Sequence, residues 1–478
     1  MVFIKTHFKA LLGSILIGSM AALSMPAMAT NEAMMDLLKI LRDKGSITAE
    51  EYELLANASA ADKEKAEGAA AEVKAEVKEA TKSLPKITTK GKLQFEDKKN
   101  GNKFRIGGRL MADTTWGLGD VDFEGEGGTP VTEFRRARLY VSGVFQEFWK
   151  YKFQYDFAAD QSGANPNTAG IRDAYLAYTG FKPVSVTVGH HKTPLSMEEL
   201  TSSKYITFIE RSQMVNGIVT DAGGGRQYAL TAKGYFNDMF TASASVYAGT
   251  ANEDTAEDQS GFVGRLTFSP IHEKTQAVHL GVGFNRHKAV NGGIDMDAEP
   301  EVHPGADIVE TDADDHETAT VFVAEAAGVW GPLSLQAEYA TADVEDSPTE
   351  RDVTADAWYV YGSYYLTGEN RRYDWKGGAF KQTKVKNPLH KGGMGAWEVA
   401  LRYTSGEFEN ADAADSDEAD ILTMGINWYP SNNIRFSANY VNVLDASDGA
   451  LREIGGELET GAEADDAEYL IARAQWYF

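Results

Sequence analysis

The sequence predicts an all-β fold: a transmembrane antiparallel β-barrel of about sixteen strands, preceded by an N-terminal α-helical, coiled-coil segment in the periplasm. Three observations carry this. An export signal opens the chain. From Lys103 onward, apolar and polar residues alternate at period two, with turn residues between short segments and no helix to cover the apolar faces. The last such segment places Leu470, Ala472, Ala474, Trp476 and Phe478 on one face, with Arg473 and Gln475 between them. A final strand closing on a terminal aromatic residue resembles the C-terminal signature of outer-membrane barrels.

The signal is legible in its order. Lys5 and Lys9 precede an apolar run over 10–23, too short to span a bilayer, and Pro26 and Ala27-Met28-Ala29 follow as a small-x-small cleavage site. Cleavage after Ala29 sends the mature chain to the periplasm or beyond. Domain limits follow as 1–29 for the signal, 30–85 for the helical segment, 86–102 for a linker and 103–478 for the barrel.

Composition narrows the chemistry. With no cysteine, the chain has no disulfides, thiolate nucleophiles or cysteine metal sites. A net charge of −25 argues against a nucleic-acid partner. After the signal no uninterrupted apolar run reaches the length of a membrane helix, while 21 Tyr, 22 Phe and 46 Gly supply aromatic rims and turns.

In the helical segment, a first helix over 32–42 stops at Lys44-Gly45, where glycine takes the left-handed cap. Thr48 and Glu51 form a capping box for the next. Ala66, Ala70, Val73, Val77, Ala80 and Leu84 alternate four and three apart, an a/d seam that suits an oligomerising or spacer helix.

Strands are predicted around Arg109, Leu139, Phe153, Tyr175, Val186, Leu230, Ser245 and Leu266, then Val282, Ala324, Gln336, Tyr361, Leu401, Gly425, Ala438 and Arg473. The third is the plainest. Trp149, Tyr151, Phe153, Tyr155 and Phe157 share one face and Lys150, Lys152, Gln154 and Asp156 the other, so the aromatic face meets lipid and the polar face lines water. Short turns at 146–148, 179–183, 237–238, 331–332 and 429–433 fall at junctions of one parity, the expected periplasmic side. The segment 368–395 breaks that parity and is strongly basic, so either it folds into the lumen or the strand count fails there.

Charge is divided along the chain. Residues 290–317 hold ten carboxylates and no Lys or Arg, and 407–420 and 445–468 are nearly as acidic, which predicts solvated loops at the outer surface. Bridging by divalent cations to lipopolysaccharide is a further role for such loops. Asp312 to Asp315 lacks the spacing of a calcium loop. Basic residues cluster in the early strands. Alternation turns Arg105, Arg109 and Asp113 inward, and likewise Arg136, Arg138 and Tyr140, while Arg135 falls on the lipid side unless its strand starts after it. A bulge at Gly107-Gly108 would shift Arg105, so Arg109 is the firmer lumen position. Guanidinium groups in a narrow lumen attract and partly dehydrate anions, but they could equally pair with Asp113, Asp156 and Asp173 in a salt-bridge lattice.

Four ordered stretches carry a resemblance: Glu133-Phe134-Arg135-Arg136-Ala137-Arg138-Leu139, the run Ile171-Arg172-Asp173 through Gly180, Glu199 through Ser203-Lys204 to Glu210-Arg211, and Lys386-Asn387-Pro388 with Gly395-Ala396-Trp397-Glu398. Over about 103–478 the chain resembles the phosphate-selective porin O and P family of Gram-negative outer membranes. The resemblance implies a homotrimer of sixteen-stranded barrels, embedded in outer-membrane lipid, whose inward-folded loops narrow a pore for anions such as phosphate. It places constriction arginines at Arg109 and Arg135-Arg136, a carboxylate at Asp173 and a Ser-Lys pair at Ser203 and Lys204, within an inward loop over 192–226. No cofactor or metal is implied.

Two functional readings and a third of another class stand at this level: passive diffusion with anion preference, a general or weakly cation-selective pore suggested by the acidic loops, and a barrel that does not conduct, such as an adhesin or tether. Catalysis is not expected. His190-His191 reads as a surface pair, and Gly223-Gly224-Gly225 has no phosphate-loop spacing and reads as a hinge.

Overall fold

The computed structural model describes residues 26–82, 85–89, 91–118, 130–158, 170–249, 259–289, 293–313, 315–348, 350–411, 416–447 and 467–478. The stretch 1–25, most of the signal, lies outside them, as do Leu84 of the seam and the acidic residues 448–466. Two compact units are present, 1–86 and 87–478.

In the first unit, α1 (Pro26–Asp43) and α2 (Ala49–Lys82) form a helical pair. The chain leaves α1 through Gly45 at φ 71°. The capping box is made as spaced: Glu51 N donates to Thr48 Oγ1 at 3.2 Å and Thr48 N donates to Glu51 Oε2 at 2.8 Å. Leu54 and Val73 on α2 are exposed.

The second unit is a closed antiparallel barrel of sixteen strands. The first eight are β1 (Asn102–Leu118), β2 (Val131–Phe145), β3 (Trp149–Asp156), β4 (Gly170–Tyr178), β5 (Val184–Lys192), β6 (Arg226–Phe236), β7 (Phe240–Ala248) and β8 (Ser260–His272). The rest are β9 (Gln276–Lys288), β10 (Thr318–Trp330), β11 (Leu333–Glu345), β12 (Val353–Tyr365), β13 (Ala396–Glu409), β14 (Ser416–Ser431), β15 (Ile434–Ala446) and β16 (Glu468–Tyr477). Each pairs with its neighbours in sequence, and β16 closes on β1 with Tyr477 opposite Arg109. Every predicted strand centre lies in its own strand. Within the stretch read as a linker, Leu93–Asp97 pairs with the start of β1.

The barrel is apolar outside and polar inside. On β9, Leu280 and Val282 are exposed while His279, Asn285 and His287 are buried, and on β3 Phe153 is exposed while Gln154 and Asp156 are buried. That inversion of a soluble fold is what a lipid solvent demands. Tight turns hold one rim: Gln146 and Glu147, and Asn237 and Asp238, all take positive φ, the geometry that matches strand twist in two-residue hairpins.

The lumen is filled from both rims. From the long-loop rim, 193–225 folds inward, with Leu195, Met214, Ile218 and Val219 fully buried. The acidic stretch 293–313 packs on it through Ile294, Met296 and Ala298, which corrects the expectation of a solvated surface: alternating apolar residues give this loop a buried face. Glu301 is satisfied there, accepting from Arg402 Nε at 2.9 Å, Thr404 Oγ1 at 2.6 Å and Thr423 Oγ1 at 2.5 Å. From the short-turn rim, the basic segment enters as a small hairpin, Arg372–Asp374 with Ala379–Lys381. The strand count therefore stands, and the segment folds into the lumen. Arg371 donates to Gln336 Oε1 at 3.0 Å and stacks on the Phe380 ring at 3.6 Å.

Candidate functional site

The candidate site lies on the inner face of β1 to β4, where Ser203 and Lys204 of the inward loop meet Arg109 and Tyr140. Alternation on β1 turns Arg105, Arg109, Met111 and Asp113 inward: its ladder to β2 runs unbroken from Lys103 to Met111, so Gly107-Gly108 holds no bulge, and its ladder to β16 runs unbroken from Arg109 to Leu118. Alternation on β2 breaks instead. Met111 faces Arg136 and Asp113 faces Glu133, so Phe134 and Arg135 oppose Ala112 alone in a β-bulge. The extra residue turns Arg135 and Arg136 both inward. This corrects the lipid-side placement of Arg135, since strict alternation cannot anticipate a bulge.

Three of the expected site residues meet. Arg109 Nη1 donates to Ser203 Oγ at 2.5 Å, and Lys204 follows directly on the loop. The Lys204 ammonium is ringed by Tyr205 and Tyr477 at 5.2 Å and Tyr140 at 5.8 Å. Tyr140 also faces Arg105 at 5.6 Å and Lys152 at 5.5 Å, so three cations share one ring. Burial, then the charges of Arg109, Lys152 and Arg105, lower the Lys204 pKa to about 7. Among the described residues no carboxylate pairs with Lys204 or Arg105.

Asp173 belongs to a neighbouring lattice. It accepts from Lys152 Nζ at 2.6 Å and lies 3.5 Å from Arg226 Nε. Asp156 pairs with Arg138 and lies 3.7 Å from Arg172. By contrast, Nε of Arg105 and of Arg109 is buried with no hydrogen-bond acceptor among the described residues. A guanidinium N–H at such a place is a strong, charge-assisted hydrogen-bond donor.

Arg135 and Arg136 stand apart from that cluster, one layer along β2. Both are taken by Glu210 of the inward loop, Arg135 Nε at 3.1 Å and Arg136 Nη2 at 3.3 Å. Arg473, which pairs with Asp113, also reaches Glu210 at 2.7 Å. Burial alone would raise the Glu210 pKa; Arg135, Arg136 and Arg473 outweigh it and hold it well below the usual carboxylate range. The pair therefore anchors the loop.

Sequence reasoning missed the wall arginines that fix this loop. Arg435 donates to Ile206 O at 2.6 Å, Arg473 to Ile209 O at 2.6 Å and Arg402 to Glu210 O at 3.3 Å. Their inward phase was readable from alternation. Their partners are backbone carbonyls far away in sequence, which no spacing reveals. Glu210 lies between Glu199 and Arg211, with nothing in its spacing to tie it to Arg135.

A closed sixteen-stranded barrel with an apolar belt and a loop folded into its lumen is a porin of the outer membrane. The chain belongs to the phosphate-selective porin O and P family, whose model matches residues 104–452. Porin O of Pseudomonas aeruginosa is 29% identical over 425 residues, covering 82% of this chain and 92% of that one. Two solved structures share the fold. An anion-selective porin from Comamonas acidovorans aligns at TM-score 0.50 with 14% identity over 79% of this chain and 100% of that one. Salmonella typhi OmpF aligns at TM-score 0.50 with 12% identity over 80% of this chain and 99% of that one.

Proposed function

We propose that this porin lets small hydrophilic anions, phosphate or polyphosphate-like, diffuse passively across the outer membrane through the constriction at Arg105, Arg109, Ser203 and Lys204. The observation that carries the reading is that Arg105 on the inner wall and Lys204 on the loop, both beside the Tyr140 ring, meet no carboxylate among the described residues. Planar guanidinium forks suit phosphate oxygens, and a lysine held among phenol rings binds weakly enough to release its ion. Asp173, neutralised by Lys152 and Arg226, tunes the local charge, and Arg135 and Arg136 act through Glu210 on the loop.

The parity of turns supports an orientation with the short-turn rim and the N-terminal helices in the periplasm. Exposed carboxylates on the opposite rim, such as Asp352 and Glu418, suit divalent-cation bridges to lipopolysaccharide. Homotrimeric assembly is carried over from the family resemblance.

A second reading, a general or weakly cation-selective porin, draws on the carboxylates of 293–313 beside the inward loop. Reversal potentials in a salt gradient across a planar bilayer decide between them. Parent protein should prefer chloride over potassium, with phosphate blocking the chloride current, and Lys204→Glu should reverse or abolish the preference. Potassium preference in the parent, or a Lys204→Glu channel with unchanged preference, sinks the anion reading; a parent without conductance sinks both.

A further inference from the structure

The inward loop is gripped at a point well away from the filter. Glu338 on β11 is buried, and its two carboxylate oxygens accept from five donors. Oε2 takes Ser196 Oγ at 2.7 Å and Met197 N at 3.1 Å, and Oε1 takes Glu198 N at 2.8 Å, Tyr359 OH at 2.6 Å and Gln336 Nε2 at 3.4 Å. Gln336 Oε1 in turn accepts from Tyr361 OH at 2.7 Å and from Arg371 Nη1 at 3.0 Å, at the base of the basic hairpin. That hairpin reaches the same loop, where Phe380 N donates to Thr201 Oγ1 at 3.2 Å. Wall strand, outer loop and inner hairpin therefore close on one another around Ser196 to Thr201. A few residues later, Ser203 is on the β1 wall with Arg109 and Lys204 is among Tyr140, Tyr205 and Tyr477.

We propose that Glu338 is a positioning residue of the anion filter: from the β11 wall it fixes where the loop begins its crossing, and so where Ser203 and Lys204 stand against Arg109. The proposal rests on the anion reading above. The chemistry requires a carboxylate at this place. Two backbone N–H groups, two hydroxyls and an amide face it, and a carboxyl group is the side chain that turns two oxygens toward them. An amide in its place presents N–H to at least one of these donors and leaves a backbone N–H unmet. A binding site tolerates displacements of only about 0.5 Å before its geometry degrades, so loosening this grip shifts the filter without touching it.

The test is phosphate block of the chloride current, measured on single channels of the full chain. Glu338→Gln should raise the half-blocking phosphate concentration about tenfold, the scale of one or two lost buried hydrogen bonds, while heat-resistant migration of the barrel is unchanged. A role in stability alone would leave the block intact. In the Lys204→Ala background the same change should move the half-block by less than about twofold, because residues acting through one contact are not additive. Should Glu338→Gln fail to assemble, Ser196→Ala removes one donor without altering charge and should weaken the block in the same direction. An unchanged half-block in Glu338→Gln or Ser196→Ala, or full additivity with Lys204→Ala, overturns the proposal. A parent channel that phosphate does not block removes the anion reading itself, a result distinct from a parent that is blocked and a Glu338→Gln variant that is blocked equally.

Discussion

Lys204 carries its charge against its surroundings. Burial among phenol rings, then three nearby cations, lower its pKa to about 7, so the ammonium is charged below that pH and neutral above it. Anion preference should therefore be strongest near pH ~6 and fall as the pH rises through ~8. Sulfate, whose charge is constant in this window, is the suitable blocker: its half-blocking concentration should rise over that interval, and a flat profile would show that Lys204 does not set the block. Glu210 shows the opposite case. Three guanidinium groups keep it ionised, so the loop contact it makes with Arg135, Arg136 and Arg473 should persist across the same window.

At the scale of elements, the loops decide the pore. Residues 293–313 crowd half-buried acids together. Burial, then neighbouring Asp307, pushes the Glu299 pKa up to about 8, and burial with Asp297 and Asp295 pushes that of Asp307 up to about 7. An acid whose pKa is higher when packed than when free weakens packing as the pH rises from its free value to its packed one. The inward packing of this loop should thus loosen between pH ~4 and ~8. Hydrogen exchange of its amides, corrected for intrinsic rate, should be faster at pH ~8 than at pH ~5; equal protection would refute the coupling. The sequence made this loop acidic in plain view, yet its fold was hidden. Ile294, Met296, Ala298, Val302, Ile308 and Val309 are too few and too interspersed with Asp and Glu to read as a buried face until Met214, Ile218 and Val219 are there to cover them. The bulge in β2 was hidden for a similar reason: one extra residue shifts the phase at Arg135, and only the register against Ala112 exposes it.

For the whole molecule, the solvent outside the barrel is the controlling fact. Val282, at the middle of β9, is 57% exposed on the outer face. Val282→Arg should destabilise the barrel by ~2–4 kcal/mol in lipid vesicles, the cost of a cation at mid-membrane. Urea titration of folded protein in vesicles checks this, and a change within ~0.5 kcal/mol would mean that the position does not face hydrocarbon. What the sequence determined alone was the barrel, its strand count, the order of its turns and most inward side chains. Those follow from period-two alternation and turn chemistry, which are local and act the same in any strand. Resemblance pointed to Ser203 and Lys204, and alternation to an inward Arg109 as well. What only the tertiary structure decided was which charges stay free and which are consumed. Arg135 and Arg136 are spent on Glu210, Asp173 on Lys152 and Arg226, while Lys204 and Arg105 meet no carboxylate among the described residues. That division depends on where three long segments fold inside the lumen, and the contacts that place them join residues far apart in the chain, with no period for a sequence to display.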